Sequence, residues 1–251
     1  MSNWLGRGLR RGVLTTRYPF DEAEMPERYR GRVRLVEGAP AQAVLRAGSV
    51  CLSNAIELQN ESGHVRMSRC FQCGACEREA PEAVHLSNDF EVAISDGEAD
   101  EARHRLRARM RPLGRSFMVR HVDAGSDASC EQEIQALFNP FYDINRLGFF
   151  LTATPRHADI LLVTGVVTTA MAGPLRETYD AMPDPRVVVA IGTAACSGSI
   201  FVTGEEVIGP VHEVLPVDVR IPGAPPSPLS IINGLWVAVG RATAHLAAPR
   251  R

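Results

Sequence analysis

The sequence contains no lysine, so all 27 of its basic residues are arginine, which we attribute to genome composition rather than to function. It also lacks an excess of charge, because the net charge is −2, and this balance gives no indication of a nucleic-acid partner. Neither of the glycine-rich phosphate loops, G-x-x-x-x-G-K-[ST] or G-x-G-x-x-G, occurs in the chain. The sequence therefore does not support a nucleotide site.

Long apolar runs are absent as well. No window reaches the ~18 apolar residues that a membrane-spanning helix needs, and the run IINGLWVAVG near the end predicts a buried helix instead. We find no secretory signal, and four of the six cysteines cluster at the spacing of a cofactor site, which indicates a reducing compartment, the cytoplasm. With 251 residues, the chain has room for two small domains or one large one.

Three cysteines stand at intervals of three in the stretch RCFQCGACEREAP, namely Cys70, Cys73 and Cys76. The bacterial ferredoxin run is C-x2-C-x2-C-x3-C-P, and in two-cluster ferredoxins its fourth cysteine binds the other cluster. Ala80 occupies that fourth position here. Cys51, in CLSNAI, resembles the tail of a first such run and can supply the missing thiolate. We therefore predict one 4Fe–4S cluster bound by Cys51, Cys70, Cys73 and Cys76.

The cysteines of a second cluster are all missing. Counting along both runs, its ligands would fall on Ala41, Val44, Ala47 and Ala80. Because the losses sort by cluster, we interpret them as one cluster deleted as a unit. A zinc knuckle or a disulfide pair is the alternative, since four cysteines can hold tetrahedral zinc. The third cysteine at the same spacing favours the corner of a cubane cluster.

We predict four segments along the chain. Residues 1–35 would form an amphipathic arm and an extended connector, 36–95 a ferredoxin-like 4Fe–4S domain, 96–116 a helical linker and 117–251 an α/β domain. The apolar and arginine residues at 1–20 suit an interfacial helix on a membrane or in a subunit groove, and a frayed terminus is the alternative.

Each half of the chain has its own pattern of secondary structure. The segments 55–67 and 83–94 each show the alternation of a β-hairpin. From 117 onward, short β-branched runs that end in glycine alternate with helical stretches, which predicts an α/β layered domain with a mainly parallel sheet. The segment 228–247 predicts a long C-terminal helix. Ligands in such a domain lie beyond the carboxyl ends of the strands.

Several loop motifs resemble one known family. The segments 155–192, 121–134 and 214–228 are similar to the small subunit shared by complex I, as its 20 kDa subunit, and by the group 4 NiFe hydrogenases, including formate hydrogenlyase. The resemblance covers about 117–247 and implies a flavodoxin-like parallel-sheet domain. The TTRYP motif and the ferredoxin runs resemble the ferredoxin-like subunit of the same complexes. The chain thus resembles a fusion of two neighbouring electron-transfer subunits.

The resemblance also implies an interfacial 4Fe–4S cluster in the second half. In the hydrogenase branch of the family, its ligands would fall on Asp127, Cys130, Ala194 and Ala224, of which only Cys130 is a cysteine. Cys196 lies two residues beyond the family's loop position. A degenerate metal site at Asp127, Cys130 and Cys196, a redox pair of the two thiols, and two structural thiols are the interpretations left open.

Four other residues match polar positions of the family. Glu131 and Glu133 match acidic positions near the family's cluster, where acidic residues serve proton movement, and they also complement a helix dipole at its N-terminus. His121 and His157 match the family pattern too, although a packing or hydrogen-bonding role is the simpler interpretation.

These observations lead to two functional hypotheses. The first is an iron–sulfur electron-transfer subunit, not catalytic alone, of a membrane-associated complex I-like or group 4 hydrogenase-like oxidoreductase. Its expected partners are a large catalytic subunit of the NiFe hydrogenase or complex I 49 kDa type and the membrane subunits of that complex. We expect it on the inner face of the cell membrane. The second hypothesis is a structural or coupling subunit of a related complex that has lost hydrogenase or quinone chemistry. A free-standing flavin enzyme is disfavoured, because fold alone does not imply the cofactor.

Overall fold

The computed structural model describes residues 4–23, 25–59, 62–201, 203–242 and 245–246, without the side chains of residues 4, 5, 245 and 246. Its α-helices are α1 (Trp4–Arg11), α2 (Ala41–Ser49), α3 (Ala75–Glu79), α4 (Ala99–Met110), α5 (Ser129–Ala136), α6 (Thr169–Asp180), α7 (Thr193–Ser197) and α8 (Pro228–Ala238). Its strands are β1 (Val33–Leu35), β2 (Ile56–Gln59), β3 (Ser62–Val65), β4 (Val84–Leu86), β5 (Ile94–Ser95), β6 (Phe117–Asp123), β7 (Phe149–Leu151), β8 (Ile160–Thr164), β9 (Val167–Thr168), β10 (Val187–Ile191), β11 (Val207–Gly209), β12 (Val219–Ile221) and β13 (His245–Leu246). No helix within these ranges has the length and apolar character needed to cross a membrane.

The largest sheet has seven strands in the order β13-β5-β12-β10-β8-β6-β7. The pairs β6–β7, β6–β8, β8–β10 and β10–β12 are all parallel. Numbered by their position in the chain, these five strands lie in the order 2-1-3-4-5, which is that of the flavodoxin-like doubly wound fold. The predicted α/β architecture with a mainly parallel sheet is thus confirmed. β5 is the exception, because it pairs antiparallel with β12.

Both faces of this sheet are covered, which explains the continuous apolar strands. In β10, Val187, Val189 and Ile191 pack into one core with residues of α4, α5 and α8. Val188 and Ala190 point to the other face and pack with residues of α6 and α7. A strand buried on both sides needs apolar residues at every position, and this is why the sequence shows a β-branched run instead of an alternation.

A smaller unit precedes this sheet. β2 and β3 form the predicted first hairpin. The second predicted hairpin, at 83–94, is wrong: β4 pairs antiparallel with β1, while β5 leaves the unit and joins the large sheet. β1 lies in the segment that we expected to be an extended connector. Alternation within 83–94 fitted a hairpin, but the partner of each strand is distant in sequence, and local patterns do not specify such pairing.

Two helix predictions also need correction. The expected linker does contain a helix, α4, but Leu106 and Met110 of α4 are fully buried in the core of the large sheet, so this helix is part of the packed molecule. The C-terminal helix ends at Ala238, earlier than predicted, and β13 follows it and pairs with β5. Residues 243, 244 and 247 of that prediction, like 1–3 of the predicted arm, lie outside the described residues.

The segment after α1 is fixed to the large sheet. The backbone N–H of Thr16 donates to the Phe141 carbonyl at 2.8 Å. Arg146 donates to the carbonyls of Thr16 and Tyr18 at 2.5 and 2.7 Å. The Tyr18 hydroxyl, which is buried, accepts from Asn233 at 3.1 Å and is 2.9 Å from Glu91. The arm is therefore anchored from residue 15 onward, whereas Leu9, Val13 and Leu14 before this point are exposed.

Candidate metal centre

Cys51, Cys70, Cys73 and Cys76 line one cavity, although Cys51 precedes the nearest of the others, Cys70, by 19 residues in sequence. Val33, Ala55 and Ile56 supply apolar walls. The loop after α2 brings Cys51, the loop before α3 brings Cys70 and Cys73, and Cys76 lies in the first turn of α3. Four thiols around one apolar space are the donor set of a cubane iron–sulfur cluster.

Backbone geometry aims peptide N–H groups at two of these sulfurs. The N–H of Ala55 lies 3.2 Å from Cys51 Sγ, and the N–H of Gln72 lies 3.3 Å from Cys70 Sγ. Gln72 has a φ of 57° and Gly74 one of 72°, so the loop turns tightly through left-handed conformations between the cysteines. Such N–H groups stabilise negative charge on a sulfur, which is what a bound cluster requires of its ligands.

Burial opposes ionisation of two of these thiols, Cys70 and Cys76. Burial, together with charge on the other three cysteines, raises the pKa of Cys70 to about 12. The pKa of Cys76 is raised for the same reasons, burial first. Thiolates are the ligands of metals, so a cationic metal core would offset this cost and release protons on binding.

All four cysteines are free thiols, so the disulfide alternative is not present. No group of three or more histidine, cysteine, aspartate or glutamate side chains in the described part of the chain converges as the ligands of a single metal ion would. The four cysteines surround a shared space instead. The donor set, the apolar walls and the N–H groups aimed at sulfur fit a cluster, and the ligand assignment itself stays a prediction.

The positions at which we predicted that a second cluster is missing carry aliphatic side chains. Ala41, Val44 and Ala47 belong to helix α2, where a cluster-binding run would need an open loop. Val44, Ala47 and Ala80 are buried in the same apolar core as Cys70 and Cys76. The space that a second cluster would need is thus taken up by packing.

A second cavity lies at the carboxyl ends of the parallel strands. Its lining includes Asp127, Cys130, Ala194 and Ala224, the four positions that the resemblance selected. Asp127 and Cys130 follow β6, Ala194 follows β10 and Ala224 follows β12. The strand order reverses between β6 and β8, and doubly wound folds bind their ligands at such a point. The fold therefore brings the family's positions together, but only one of them carries a thiol.

Cys130 and Asp127 are each in contact with neighbouring groups of the protein. Burial, followed by charge on Glu131, raises the pKa of Cys130 to about 12. The Cys130 thiol packs against Gly192, where an added Cβ would lie 2.6 Å from the sulfur. Asp127 accepts hydrogen bonds from the backbone N–H and the hydroxyl of Ser129, at 3.0 and 2.6 Å, and these bonds lower its pKa.

Cys196 is placed elsewhere. Its thiol is 3.5 Å from the Ala190 carbonyl and belongs to the core on the opposite face of the sheet from Cys130. Both are free thiols, and Cys196 does not line the cavity of Cys130. Asp127 and Cys130 thus line one cavity and Cys196 lies outside its lining, which does not favour the degenerate metal site among the interpretations left open.

Two residues missed by the sequence analysis connect the cavities. Phe71 lines both of them. Thr193, at the start of α7, is buried; its hydroxyl donates to the Cys70 carbonyl at 2.9 Å and accepts from the Gly223 N–H at 3.1 Å. No pattern in the sequence pointed to Thr193, because its partners are 123 and 30 residues away.

Two of the polar residues that match the family, His121 and Glu131, form a small network with Thr164. The Thr164 hydroxyl donates to the Glu131 carboxylate and lies 2.9 Å from His121 Nε2. The Thr164 hydroxyl has one proton, which it donates to Glu131, so it can only accept a hydrogen bond from His121. His121 must therefore carry its proton on Nε2. Burial lowers the pKa of His121 and raises that of Glu133, while His157 is exposed in a short 3-10 turn.

Comparison with known proteins agrees with the motifs of the second half. Residues 128–238 match the family model described as "NADH ubiquinone oxidoreductase, 20 Kd subunit". "Probable membrane-bound hydrogenase subunit mbhJ" of Pyrococcus furiosus is 43% identical over 127 residues, which are 51% of this chain and 76% of that protein. "Formate hydrogenlyase subunit 7" of Escherichia coli is 40% identical over 131 residues, 52% of this chain and 51% of that protein.

A solved structure also aligns with the chain. A chain of the archaeal membrane-bound sulfane sulfur reductase has a TM-score of 0.44 and 26% identity over 57% of this chain and 79% of its own, too low a score to add to the sequence comparison. The family is shown by the 43% identity with the Pyrococcus protein, because the aligned residues cover 76% of that protein. The chain belongs to the NADH ubiquinone oxidoreductase 20 kDa subunit family.

Proposed function

We propose that this chain is an iron–sulfur electron-transfer subunit of a membrane-associated, complex I-like or group 4 hydrogenase-like oxidoreductase. In this proposal it holds one 4Fe–4S cluster at Cys51, Cys70, Cys73 and Cys76, and it lacks the interfacial cluster of its family. The observation that carries the proposal is that these four thiols line a single cavity. A bound cluster of this kind accepts and donates single electrons.

The relatives provide the context of the complex. Two of them bear the names of subunits of a membrane-bound hydrogenase and of formate hydrogenlyase. By this relationship, the chain's partners are a large catalytic subunit of the NiFe hydrogenase or complex I 49 kDa type and the membrane subunits of the same assembly. The chain would lie on the inner face of the cell membrane, and the chemistry on substrate would take place in a partner.

The residues around the cysteines have defined tasks in this proposal. The N–H groups of Ala55 and Gln72 stabilise charge on the sulfurs of Cys51 and Cys70. Val33 and Ile56 exclude water from the inner side of the cavity. Thr193 holds the Cys70 carbonyl and thereby fixes the cysteine loop against the large sheet.

Iron content tests the proposal. The anaerobically purified chain should contain about four irons and show the EPR signal of a single reduced cluster. Cys76→Ala should lose most of this iron, because three thiolates leave one corner of the cube without a ligand. Cys196→Ala is the matched control and should keep it, since Cys196 lies on the far face of the large sheet from Cys130 and takes no part in the cavity.

Two outcomes would contradict the proposal. Absence of iron from the native protein would leave only a scaffold. Eight irons would mean that the second cavity also holds a cluster, contrary to its single thiol.

A second candidate function is a structural or coupling subunit of a complex that has lost hydrogenase or quinone chemistry. The observation in its favour is the second cavity, where two alanines, an aspartate and a single cysteine stand at the family's ligand positions. An intact complex that transfers electrons at an unchanged rate after Cys76→Ala has removed the iron would favour this second function over the first.

A further inference from the structure

One corner of the four-cysteine cavity opens to solvent. Cys70 and Cys76 are buried and Cys51 is half-buried, whereas Cys73 is exposed. Leu52, next to Cys51 in the wall of the same cavity, is 82% exposed. An electron entering or leaving from solvent would meet the centre at this corner.

Two arginines lie at that corner. Arg30 donates to the Cys73 carbonyl at 2.8 Å, and Arg78 donates to the same oxygen at 3.4 Å. Both pass beside Gly74, where an added Cβ would lie 3.4 Å from Arg30 Nε and 3.6 Å from an Arg78 guanidinium nitrogen. The fold thus holds two guanidinium groups, both on exposed residues, against one carbonyl next to the exposed cysteine.

Acidic residues lie near these arginines, and Glu27 and Glu77 line a surface cavity together with Arg30. Neither guanidinium forms an ion pair with a described carboxylate. Glu77, on the same helix as Arg78, is held by His85 Nδ1 and the Leu86 N–H, each at 2.9 Å. Glu79 at the end of that helix is exposed. Two cations beside one acceptor repel each other, and an incoming anionic group would relieve this repulsion.

We propose that Cys73, Leu52, Arg30 and Arg78 form a docking surface for the acidic face of a one-electron carrier protein. This inference rests on the proposed function. The apolar Leu52 provides the contact and the arginines provide charge complementarity, a combination that speeds encounter in transient redox complexes. A carrier that docks in its reduced state would pass one electron to the cluster that the four cysteines would hold, and would leave oxidised by one electron, with no bond formed and no proton moved.

Binding tests the surface without any turnover. The probe is an oxidised acidic flavodoxin, titrated into the full-length, cluster-containing chain by calorimetry at low salt. Arg30→Glu combined with Arg78→Glu should weaken the Kd at least about tenfold, and binding to the native chain should weaken as salt is raised. The matched control, Arg156→Glu with Arg176→Glu, reverses the charge of two exposed arginines away from this corner. It should leave the Kd within about twofold of that of the native chain.

A kinetic measurement complements the titration. Reduced flavodoxin should reduce the chain's centre about tenfold or more slowly after the double reversal at Arg30 and Arg78. Reduced methyl viologen, a small cation, should not be slowed, since it meets no unfavourable charge. Iron content and the EPR signal are measured on every variant. If the double glutamate variant loses iron, the Gln pair at the same positions replaces it.

The outcomes separate this inference from the proposed function. A native chain without iron overturns the proposed function and this inference with it. A native chain that contains its cluster but binds flavodoxin with the same Kd at all salt concentrations, or equally with and without the two arginines, overturns only the docking surface.

Discussion

At Cys130 the surroundings, not the residue type, determine the chemistry. Its thiol is buried against Gly192, and charges on Glu131, Asp127 and Glu133 would each oppose its ionisation. At Cys73 the same residue type is exposed and has two arginines within reach of its carbonyl. The six cysteines are the same residue type in the sequence, whereas burial and neighbouring charge give their thiols different surroundings in the fold.

Alkylation should reveal this difference at Cys130. A pKa of about 12 in place of about 9 leaves about a thousandfold less thiolate at pH 8, and the thiolate is the species that reacts. Iodoacetamide should therefore label Cys130 very slowly in the native protein at this pH and rapidly in urea, measured by peptide mass spectrometry. Because the pKa is raised, the native rate should keep increasing well above pH 9. Equal rates in the native and unfolded chain would contradict this environment.

At the scale of single elements, α7 shows how the two halves of the chain are joined. Its first residue, Thr193, is 1% exposed and places one hydroxyl between the Cys70 carbonyl and the Gly223 N–H. These groups come from the cysteine loop and from the turn after β12. One side chain therefore ties the candidate centre to the carboxyl edge of the large sheet.

Thr193→Val tests this connection. Valine has nearly the same shape but cannot hydrogen-bond, so a buried carbonyl and a buried N–H lose their partner, at a cost of about 1–3 kcal/mol. The free energy of unfolding, measured by anaerobic urea denaturation, should fall by that amount. Thr193→Ser keeps the hydroxyl and should retain most of the stability. A valine variant as stable as the native protein would show that the two bonds contribute nothing.

At the scale of the whole molecule, the N-terminal segment crosses from one half to the other. Tyr18 is buried, packs edge-to-face on Phe90 with ring centroids 4.9 Å apart, and hydrogen-bonds Asn233 of α8 and Glu91. Leu9, Val13 and Leu14, which are exposed, precede this anchor. Anchoring of the fold and any attachment to a membrane or a neighbouring subunit thus belong to separate parts of the segment.

Two truncations separate these roles. Deletion of residues 1–14 removes α1 but keeps the bonds of Thr15 and Thr16, so the melting temperature should not change while membrane retention falls if the arm is interfacial. Deletion of residues 1–20 also removes Tyr18 and should cost about 3 kcal/mol or more, because a buried aromatic ring is lost. Thermal melts and membrane fractionation of both variants measure the two effects. Equal melting temperatures for the two truncations would show that Tyr18 is not an anchor.

The sequence by itself determined the elements whose cause is local. The buried runs of β8 and β10, the first hairpin and the spacing of Cys70, Cys73 and Cys76 could all be interpreted from neighbouring residues. Burial on both faces leaves a continuous β-branched run, and a cluster-binding loop leaves fixed intervals between cysteines, so both are visible in one dimension.

The tertiary structure decided everything that depends on distant partners. It paired β4 with β1 instead of β5, drew β5 and α4 into the large sheet and its core, and put Cys130 and Cys196 on opposite faces. It also placed Thr193 under Cys70 and two arginines over Cys73. The physical reason is that strand pairing, burial and charge are properties of the folded arrangement, in which residues separated by a hundred positions become neighbours.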